Sequence, residues 1–189
     1  MEERINEMIE EDEKLLWEGR PEAFQTLDKT NKSHFIKSSI ITAVVTIIVL
    51  GGYILAIRRT GAELKMGLVV IIALLSLYLI FNIFIQANRL RGKTGYAITD
   101  KRLIVVSGDA KGIPYSQIPL ASIRTDEDGH SSLLCGAHAV KAPPSKWRGS
   151  AAIGIRTDSE TGICDDLVMY AISEPEKVRN ILKPYLTVN

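Results

Sequence analysis

Two apolar runs constrain this chain more than any other feature of its sequence. They cover residues 38–57 and 66–87, and neither contains Asp, Glu, Lys or Arg. A helix needs about 20 mostly apolar residues to cross the roughly 30 Å hydrocarbon core of a bilayer. Neither run carries the polar stripe of a helix on the surface of a soluble domain. The sequence therefore predicts a transmembrane helical hairpin at 38–87, closed by the short loop 58–65.

Basic residues near the ends of the predicted helices indicate how the hairpin is oriented. Lys and Arg concentrate on the cytoplasmic side of membrane proteins. Eight of them lie beside the terminal ends of the hairpin and three lie in its loop. We therefore expect a multi-pass protein of the inner (cytoplasmic) membrane, with both termini in the cytoplasm. The eight are Lys29, Lys32, Lys37, Arg89, Arg91, Lys93, Lys101 and Arg102, and the three are Arg58, Arg59 and Lys65.

The residues outside the hairpin divide into two parts of unequal length. Residues 1–37 form a lead-in segment, and residues 94–189 are numerous enough for a domain with its own core. The segment 94–189 carries eleven Lys or Arg and eleven Asp or Glu residues. Because the charges balance, no strong field favours nucleic acid, and we expect no nucleic-acid partner.

The lead-in segment begins with an acidic stretch. Residues 1–18 hold eight Asp or Glu, and apolar residues such as Ile5, Met8 and Ile9 fit one stripe of a short helix. Two interpretations stay open. The stretch is a solvated acidic helix, or it packs against the basic residues 89–102. Trp17 has two possible places as well, at the headgroup level of the membrane or in a cleft of the globular part.

The pattern after residue 94 is that of short strands followed by one helix. The sequence YAITDKRLIVVSG, residues 96–108, predicts two antiparallel strands joined by a tight turn. We predict a loop at 141–149 and a strand at 151–156. A capping Ser and an early Pro predict a final helix from about Pro175. A small curled sheet or barrel, closed by this helix, would bury its apolar face and its edges.

Three motifs in this order resemble the bacterial membrane-anchored pleckstrin-homology (PH) domain family. They are DEKLLWEGRP at 12–21, YAITDKRLIVVSG followed by IPLASI at 118–123, and ISEPEKVRNIL at 172–182. In the family, as here, a helical hairpin lies between the first and the second motif. The resemblance implies an α+β membrane protein in which the hairpin precedes a PH-like, strongly bent seven-stranded β-barrel with a C-terminal helical cap. It implies no defined ligand, because a fold does not fix a function.

The candidate contact residues are tryptophans and basic residues. In the loop KAPPSKWRG a Trp lies among cations, which suits a membrane interface or a protein hot spot. The other interpretation of this loop has its Trp packed over the barrel. The candidates for contact with a partner or the membrane are Trp17, Lys101, Arg102, Lys146, Trp147 and Arg148.

Small and polar residues within the spans are candidates for helix–helix contact. Gly51 and Gly52 would let the backbones of the two helices approach each other closely. Asn82 is the most polar residue in either span, and an amide in lipid requires a hydrogen-bond partner. Its partner is either the first helix or a second copy of the chain.

No motif of a catalytic or metal site occurs in the sequence. There is no nucleophile elbow, phosphate-binding glycine loop or HExxH motif. Cys135 and His138 have the spacing of two zinc ligands, but with Cys164 they do not complete a site, so we expect structural thiols and no metal. We expect no cofactor and no enzymatic activity.

The expected function is therefore non-catalytic. The hairpin would hold the PH-like module at the cytoplasmic face of the bilayer, where it docks a protein partner or further copies of itself. Tethering raises the effective concentration of such weak contacts. The alternative is a module that binds or senses lipid headgroups, and the balanced charge of the segment 94–189 argues against it.

Overall fold

The fold of residues 2–188, which this computed structural model describes, combines helices with short strands. The helices are α1 (Glu2–Asn6), α2 (Lys29–Thr60), α3 (Met66–Lys93), α4 (Ala137–Lys141), α5 (Pro144–Ile153) and α6 (Pro175–Leu182). The strands are β1 (Leu15–Gly19), β2 (Thr94–Thr99), β3 (Arg102–Ser107), β4 (Asp109–Pro114), β5 (Ala121–Thr125), β6 (Ser131–Cys135), β7 (Arg156–Thr157) and β8 (Cys164–Met169).

Helices α2 and α3 form the antiparallel hairpin. Both are long and apolar enough to cross a membrane, and no residue of their most apolar stretches is buried inside the protein. A core helix of a soluble protein would be covered by other elements, so the exposed apolar surface indicates association with a membrane. Both helices extend beyond the predicted spans 38–57 and 66–87, and the start of α2 and the end of α3 continue into the globular part.

Hydroxyl and aromatic side chains connect the two helices of the hairpin. The hydroxyls of Thr46 and Ser76 are 2.7 Å apart, and the rings of Phe35 and Phe84 meet edge to face at 5.8 Å. A Cβ placed on Gly51 or Gly52 would meet no atom within 4 Å. The predicted contact of these two glycines with the partner helix is therefore wrong.

The first sheet contains β1, β2, β3 and β4 in this order, and all neighbouring strands are antiparallel. The predicted pair of strands at 96–108 is confirmed, with Ile98 opposite Leu103. β1 lies before the hairpin in the chain but pairs with β2, which follows it. The globular part therefore includes the lead-in segment, although the sequence pattern separates that segment from residues 94–189.

The second sheet is also antiparallel and has the order β5-β6-β8-β7. The two sheets face each other across an apolar core, to which α6 contributes Val178 and Leu182. The predicted C-terminal helix is thus confirmed, as is a small antiparallel β-structure, but the predicted Ser cap is wrong, because the N-cap of α6 is Glu174 and no described side chain caps the helix. Within residues 2–188 the strands form two separate sheets rather than one closed barrel, so the PH-like barrel itself is not confirmed.

Helices cover the outer faces of both sheets. Ile5 of α1, with Met8 and Ile9, packs on Ala97 and Ile104 of the first sheet. The predicted apolar stripe is therefore confirmed for Ile5, Met8 and Ile9, but its fourth predicted member, Leu16, lies in β1, and the helix itself ends at Asn6. On the second sheet, α4 and α5 replace the loop predicted at 141–149 and the strand predicted at 151–156. A Pro in the first turn is favourable for a helix, and the buried residues of α5 repeat at helical spacing.

The acidic stretch of the lead-in segment pairs with the basic turn between β2 and β3. The carboxylate of Glu13 accepts hydrogen bonds from Arg102 Nε at 2.9 Å, from Arg102 Nη2 at 2.7 Å and from the Thr99 hydroxyl at 2.6 Å. Asp12 and Lys101 form a more exposed pair at 2.5 Å. The prediction that the acidic stretch packs against the basic residues is confirmed. Arg102 is consequently committed to an internal contact.

Protonation of Glu13 provides a test of this pairing. Burial of the carboxylate raises its pKa, but hydrogen bonds from Arg102, Thr99 and the Glu10 backbone outweigh burial and lower the pKa from 4.5 to about 2. Folding stability from this group is therefore complete above pH 4.5 and is lost as the pH falls toward 2. Glu13→Gln should lower the unfolding free energy at pH 7 by about 3 kcal/mol and lose this pH dependence.

The measurement is urea unfolding of the full chain in detergent between pH 2 and 7, followed by tryptophan fluorescence. Glu11→Gln is the matched control, because Glu11 is exposed. If Glu13→Gln retained the acid dependence of the unsubstituted chain, the assigned role of Glu13 would be incorrect.

Substitutions in the hairpin test which residues join the helices. Gly51→Ala and Gly52→Ala should leave the hairpin intact and add about 0.5–1 kcal/mol of helix stability each, since nothing obstructs the added methyl groups. Thr46→Val removes the hydroxyl that meets Ser76 and should destabilise the hairpin by about 0.6 kcal/mol. Circular dichroism during denaturation in mixed detergent micelles measures both effects. A greater loss from the alanines than from Thr46→Val would contradict the observed packing.

Candidate functional site

The junction between the hairpin and the two sheets contains a buried network of charged and polar groups. At the start of α2, Asp28 is the N-cap, and its Oδ1 accepts hydrogen bonds from the backbone and side-chain nitrogens of Asn31, both at 3.0 Å. The other carboxylate oxygen of Asp28 pairs with the guanidinium of Arg148 on α5. The residue that starts the first membrane helix therefore also attaches it to the globular part.

Arg148 lies at the centre of this junction and is only 2% exposed. Its Nη1 donates to the carbonyls of Gln25 at 2.9 Å and Thr26 at 3.0 Å. Its Nη2 donates to Asp28 and, at 2.8 Å, to the hydroxyl of Tyr170. The prediction of Arg148 as a surface contact residue is therefore wrong, because its side chain is enclosed and occupied.

The two tryptophans predicted as contact residues are also buried. Trp147 is 1% exposed, and its indole nitrogen donates to the carbonyl of Ala142 at 3.1 Å. Trp17 is 5% exposed and belongs to the core between the two sheets. The interpretation in which Trp147 packs over the β-structure holds, and Trp17 occupies a cleft of the globular part. Neither indole is available to a partner or to the membrane surface.

A second carboxylate supports the first turn of α2. Asp128 accepts hydrogen bonds from the backbone nitrogens of Lys29 at 3.2 Å and Thr30 at 2.9 Å, and from the Thr30 hydroxyl at 2.7 Å. Negative charge beside a helix N-terminus is favourable, because the unpaired N–H groups there carry partial positive charge. The loop between β5 and β6 thereby holds the same end of α2 as Arg148 does.

The C-terminal end of α3 is also attached to the globular part. Arg91 donates to the Phe24 carbonyl at 2.9 Å and to the Thr26 hydroxyl at 2.8 Å. Arg89 donates to the carbonyl of Ser107 in β3 at 2.9 Å. α3 ends at Lys93 and β2 begins at the next residue, so no linker separates the hairpin from the first sheet.

A polar cavity of about 280 Å³ lies beside this junction, between α2, α3 and α5. Its polar lining includes His34 and Ser39 of α2, Asn82 and Gln86 of α3, and Lys146 of α5. Within residues 2–188, no Asp or Glu lines it. The cavity brings Asn82, predicted as a helix contact, together with Lys146, predicted as a surface contact.

Asn82 makes no hydrogen bond with any residue that the structure describes, so the predicted bond to the first helix is absent. The alternative, contact with a second copy of the chain, stays a prediction. Lys146 is exposed, and Lys101, although paired with Asp12, has a side chain that is 41% exposed. Of the six predicted contact residues, these two lysines remain accessible.

The cysteines lie in the core, away from the junction. Cys135 and Cys164 are both buried and free, and burial raises the pKa of the Cys135 thiol well above its usual value. The Cys164 thiol donates to the carbonyl of Cys135 at 3.7 Å. Among the described residues, no group of three His, Cys, Asp or Glu is arranged to hold a metal ion.

Most members of the junction were not predicted from the sequence. An Asp before a run of helical residues is an N-cap signal, and this signal could have identified Asp28. No local pattern marks Asp128 or Tyr170, because each meets the junction only through tertiary folding. Their partners lie 98 and 22 residues away along the chain.

Comparison with known protein families, with curated proteins and with solved structures finds no match for this chain.

Substitution of Arg148 tests whether the junction depends on its charge. Arg148→Met leaves the Asp28 carboxylate buried without its partner and should lower the unfolding free energy by about 3–5 kcal/mol. The double variant Asp28→Asn, Arg148→Met should lose less unfolding free energy than the two single variants lose in sum. Each single variant leaves one buried charge without a partner, whereas the double variant leaves none. Urea unfolding of the full chain in detergent, followed by fluorescence of the two buried tryptophans, measures these differences.

Arg124→Met is the matched control for Arg148→Met. Arg124 is exposed, donates a hydrogen bond to the Val140 carbonyl at 3.1 Å, and places its guanidinium 5.7 Å from the ring centre of Trp147, without a carboxylate partner among the described residues. Its loss should cost about 1 kcal/mol or less. Equal costs for the two arginines would show that the buried pair has no special role in stability.

Proposed function

We propose that this protein is a membrane-tethered, PH-like module that docks a protein partner or further copies of itself. In this proposal the hairpin spans the inner (cytoplasmic) membrane, both termini are cytoplasmic, and the module performs no catalysis. The motifs at 12–21, at 96–108 with 118–123, and at 172–182 support the PH-like assignment. The first motif contains β1, the second contains most of β2, all of β3 and part of β5, and the third contains α6.

The observation that carries the proposal is the rigid attachment of the module to both membrane helices. α3 continues into β2 without a linker, while Asp28 and Arg148 hold the start of α2. A module mounted in this way keeps one distance and one orientation relative to the bilayer. Any partner that binds it is confined to a thin layer, where even a weak contact is amplified by effective concentration.

A second candidate function is the binding of a lipid headgroup, and the polar cavity at the junction favours it. The cavity lies at the end of the hairpin where headgroups would be, and its lining contains Lys146 and, within residues 2–188, no carboxylate. The balanced charge of the segment 94–189 argues against attraction to anionic membranes as a whole. It does not argue against one local site.

A flexible insertion tests the role of the rigid attachment. Ten Gly and Ser residues placed between Lys93 and Thr94 would break the continuous backbone from α3 into β2 and leave the side-chain contacts of Arg89 and Arg91 to hold the end of α3. The mass of the complex, extracted in a gentle detergent after cross-linking in intact cells, should show several copies or a companion for the unsubstituted chain. It should show mostly single chains for the insertion. The same cells carry a C-terminal tag, which protease added outside should not cleave.

The matched control is the same insertion in the loop between α2 and α3, at residues 61–65, which should leave the complex unchanged. Three results would each overturn the proposal. These are a single unaccompanied chain before any insertion, an equal loss of the complex from both insertions, or cleavage of the tag from outside intact cells.

A further inference from the structure

We propose that the cavity between α2, α3 and α5 binds the phosphate group of a membrane phospholipid, whose acyl chain lies in the groove between the two membrane helices. This inference deepens the second candidate function and rests on it, because it requires the hairpin to span a bilayer. The claim concerns one phospholipid at one site, apart from any general attraction to the membrane surface.

The position of the cavity matches the headgroup layer of the membrane. Its lining from α2 extends from Asn31 to Thr42, and its lining from α3 extends from Leu79 to Gln86. The charge-free runs begin at residue 38 and end at residue 87, so the cavity extends across the boundary between the spans and the globular part. Lipid phosphates lie at such a boundary, just outside the hydrocarbon core.

Polar groups without partners converge on the cavity from both membrane helices. The side chains of His34, Asn82 and Gln86 make no hydrogen bond to another residue in the range 2–188. The hydroxyl of Ser39 is buried and also has no partner among these residues. Transfer of an amide or hydroxyl group out of water costs free energy when no new hydrogen bond replaces those to water, and the cost is greatest beside hydrocarbon. Amide N–H, hydroxyl and imidazole N–H groups can all donate to phosphate oxygens.

The charge of the cavity also favours an anion. The positive charge of its lining is that of Lys146, because burial and the neighbouring Lys146 charge lower the pKa of His34; neither residue meets a carboxylate in the described part of the chain. Lys146 is exposed and forms no ion pair with a described residue. A lysine ammonium binds phosphate as a point charge, and a site without carboxylates does not suit a metal cation.

An apolar groove continues from the cavity and distinguishes a lipid from free phosphate. The groove has a volume of about 310 Å³ and runs between α2 and α3. It is lined by aliphatic side chains such as Ile41, Val45 and Leu75, and Thr42 and Leu79 line both the groove and the cavity. A polar cavity beside an apolar groove fits a phosphate that is joined to a hydrocarbon chain.

Native mass spectrometry of the full chain in detergent, titrated with phosphatidylglycerol, tests the proposal. The unsubstituted chain should bind one phosphatidylglycerol with a defined dissociation constant. Lys146→Gln and Asn82→Leu should each weaken binding by about tenfold, the effect of losing one hydrogen bond to a charged group. Asn82→Leu keeps the span apolar and Lys146 has no partner within residues 2–188, so both variants should fold. Lys183→Gln, an exposed lysine after α6, is the matched control and should bind as the unsubstituted chain does.

A second titration uses inorganic phosphate at millimolar concentration against the phosphatidylglycerol complex. Persistence of the complex supports a lipid ligand, because the acyl chain contributes to binding. Displacement by inorganic phosphate would overturn the lipid assignment. Binding of one lipid with equal affinity by all variants would overturn the site but leave the second candidate function standing. The absence of any bound lipid would overturn both.

Discussion

The buried pair of Arg148 and Asp28 is the interaction on which the arrangement of hairpin and sheets depends. A buried ion is tolerated only when its partners replace the lost water. Arg148 donates to one carboxylate, two carbonyls and one phenol hydroxyl, all of them distant from it along the chain. The carboxylate that neutralises it also caps α2. The same carboxylate, that of Asp28, therefore both caps α2 and attaches it to the globular part.

The order of the strands explains why this attachment is needed. β1 and β2 are hydrogen-bonded neighbours, yet the whole hairpin lies between them in the chain. The chain must leave the first sheet, cross to the hairpin and return to the same place. Phe24, on the outward path, packs against the guanidinium groups of both Arg91 and Arg148, at 4.9 and 4.4 Å from the ring centre. The outgoing and returning segments are thus tied to each other at the point where they pass.

The features that could be predicted from the sequence are those with a local periodic signal. The hairpin, the paired strands β2 and β3, the final helix and the acidic stretch that meets Arg102 all follow from runs of residues close together in the chain. Helix α5 was missed because Pro143 before it, Pro144 and Gly149 suggested a loop, although Trp147 and Ala151 are one helical turn apart and both buried. The prediction that Trp147 and Arg148 are exposed was wrong for a related reason. A Trp between basic residues can occur in a surface loop or in a buried helix, and only the packing of α5 on the second sheet distinguishes the two.

The charge of the segment 94–189 illustrates the same limit in another way. Its equal numbers of acidic and basic residues suggest a surface without preference for anions. In the folded chain, however, the charges of this segment are paired unevenly: Glu13 and Asp28 of the lead-in segment pair with Arg102 and Arg148, and Asp166 pairs with Arg156 within the segment. A paired carboxylate contributes little to the field outside its pair, so the local potential depends on which charges are left over. In the lining of the cavity the charge left over is that of Lys146, beside polar groups of α2 and α3 that have no partner in residues 2–188. A total charge near zero is therefore compatible with a cavity that attracts an anion, since it is the pairing of the acidic residues that determines where positive charge remains.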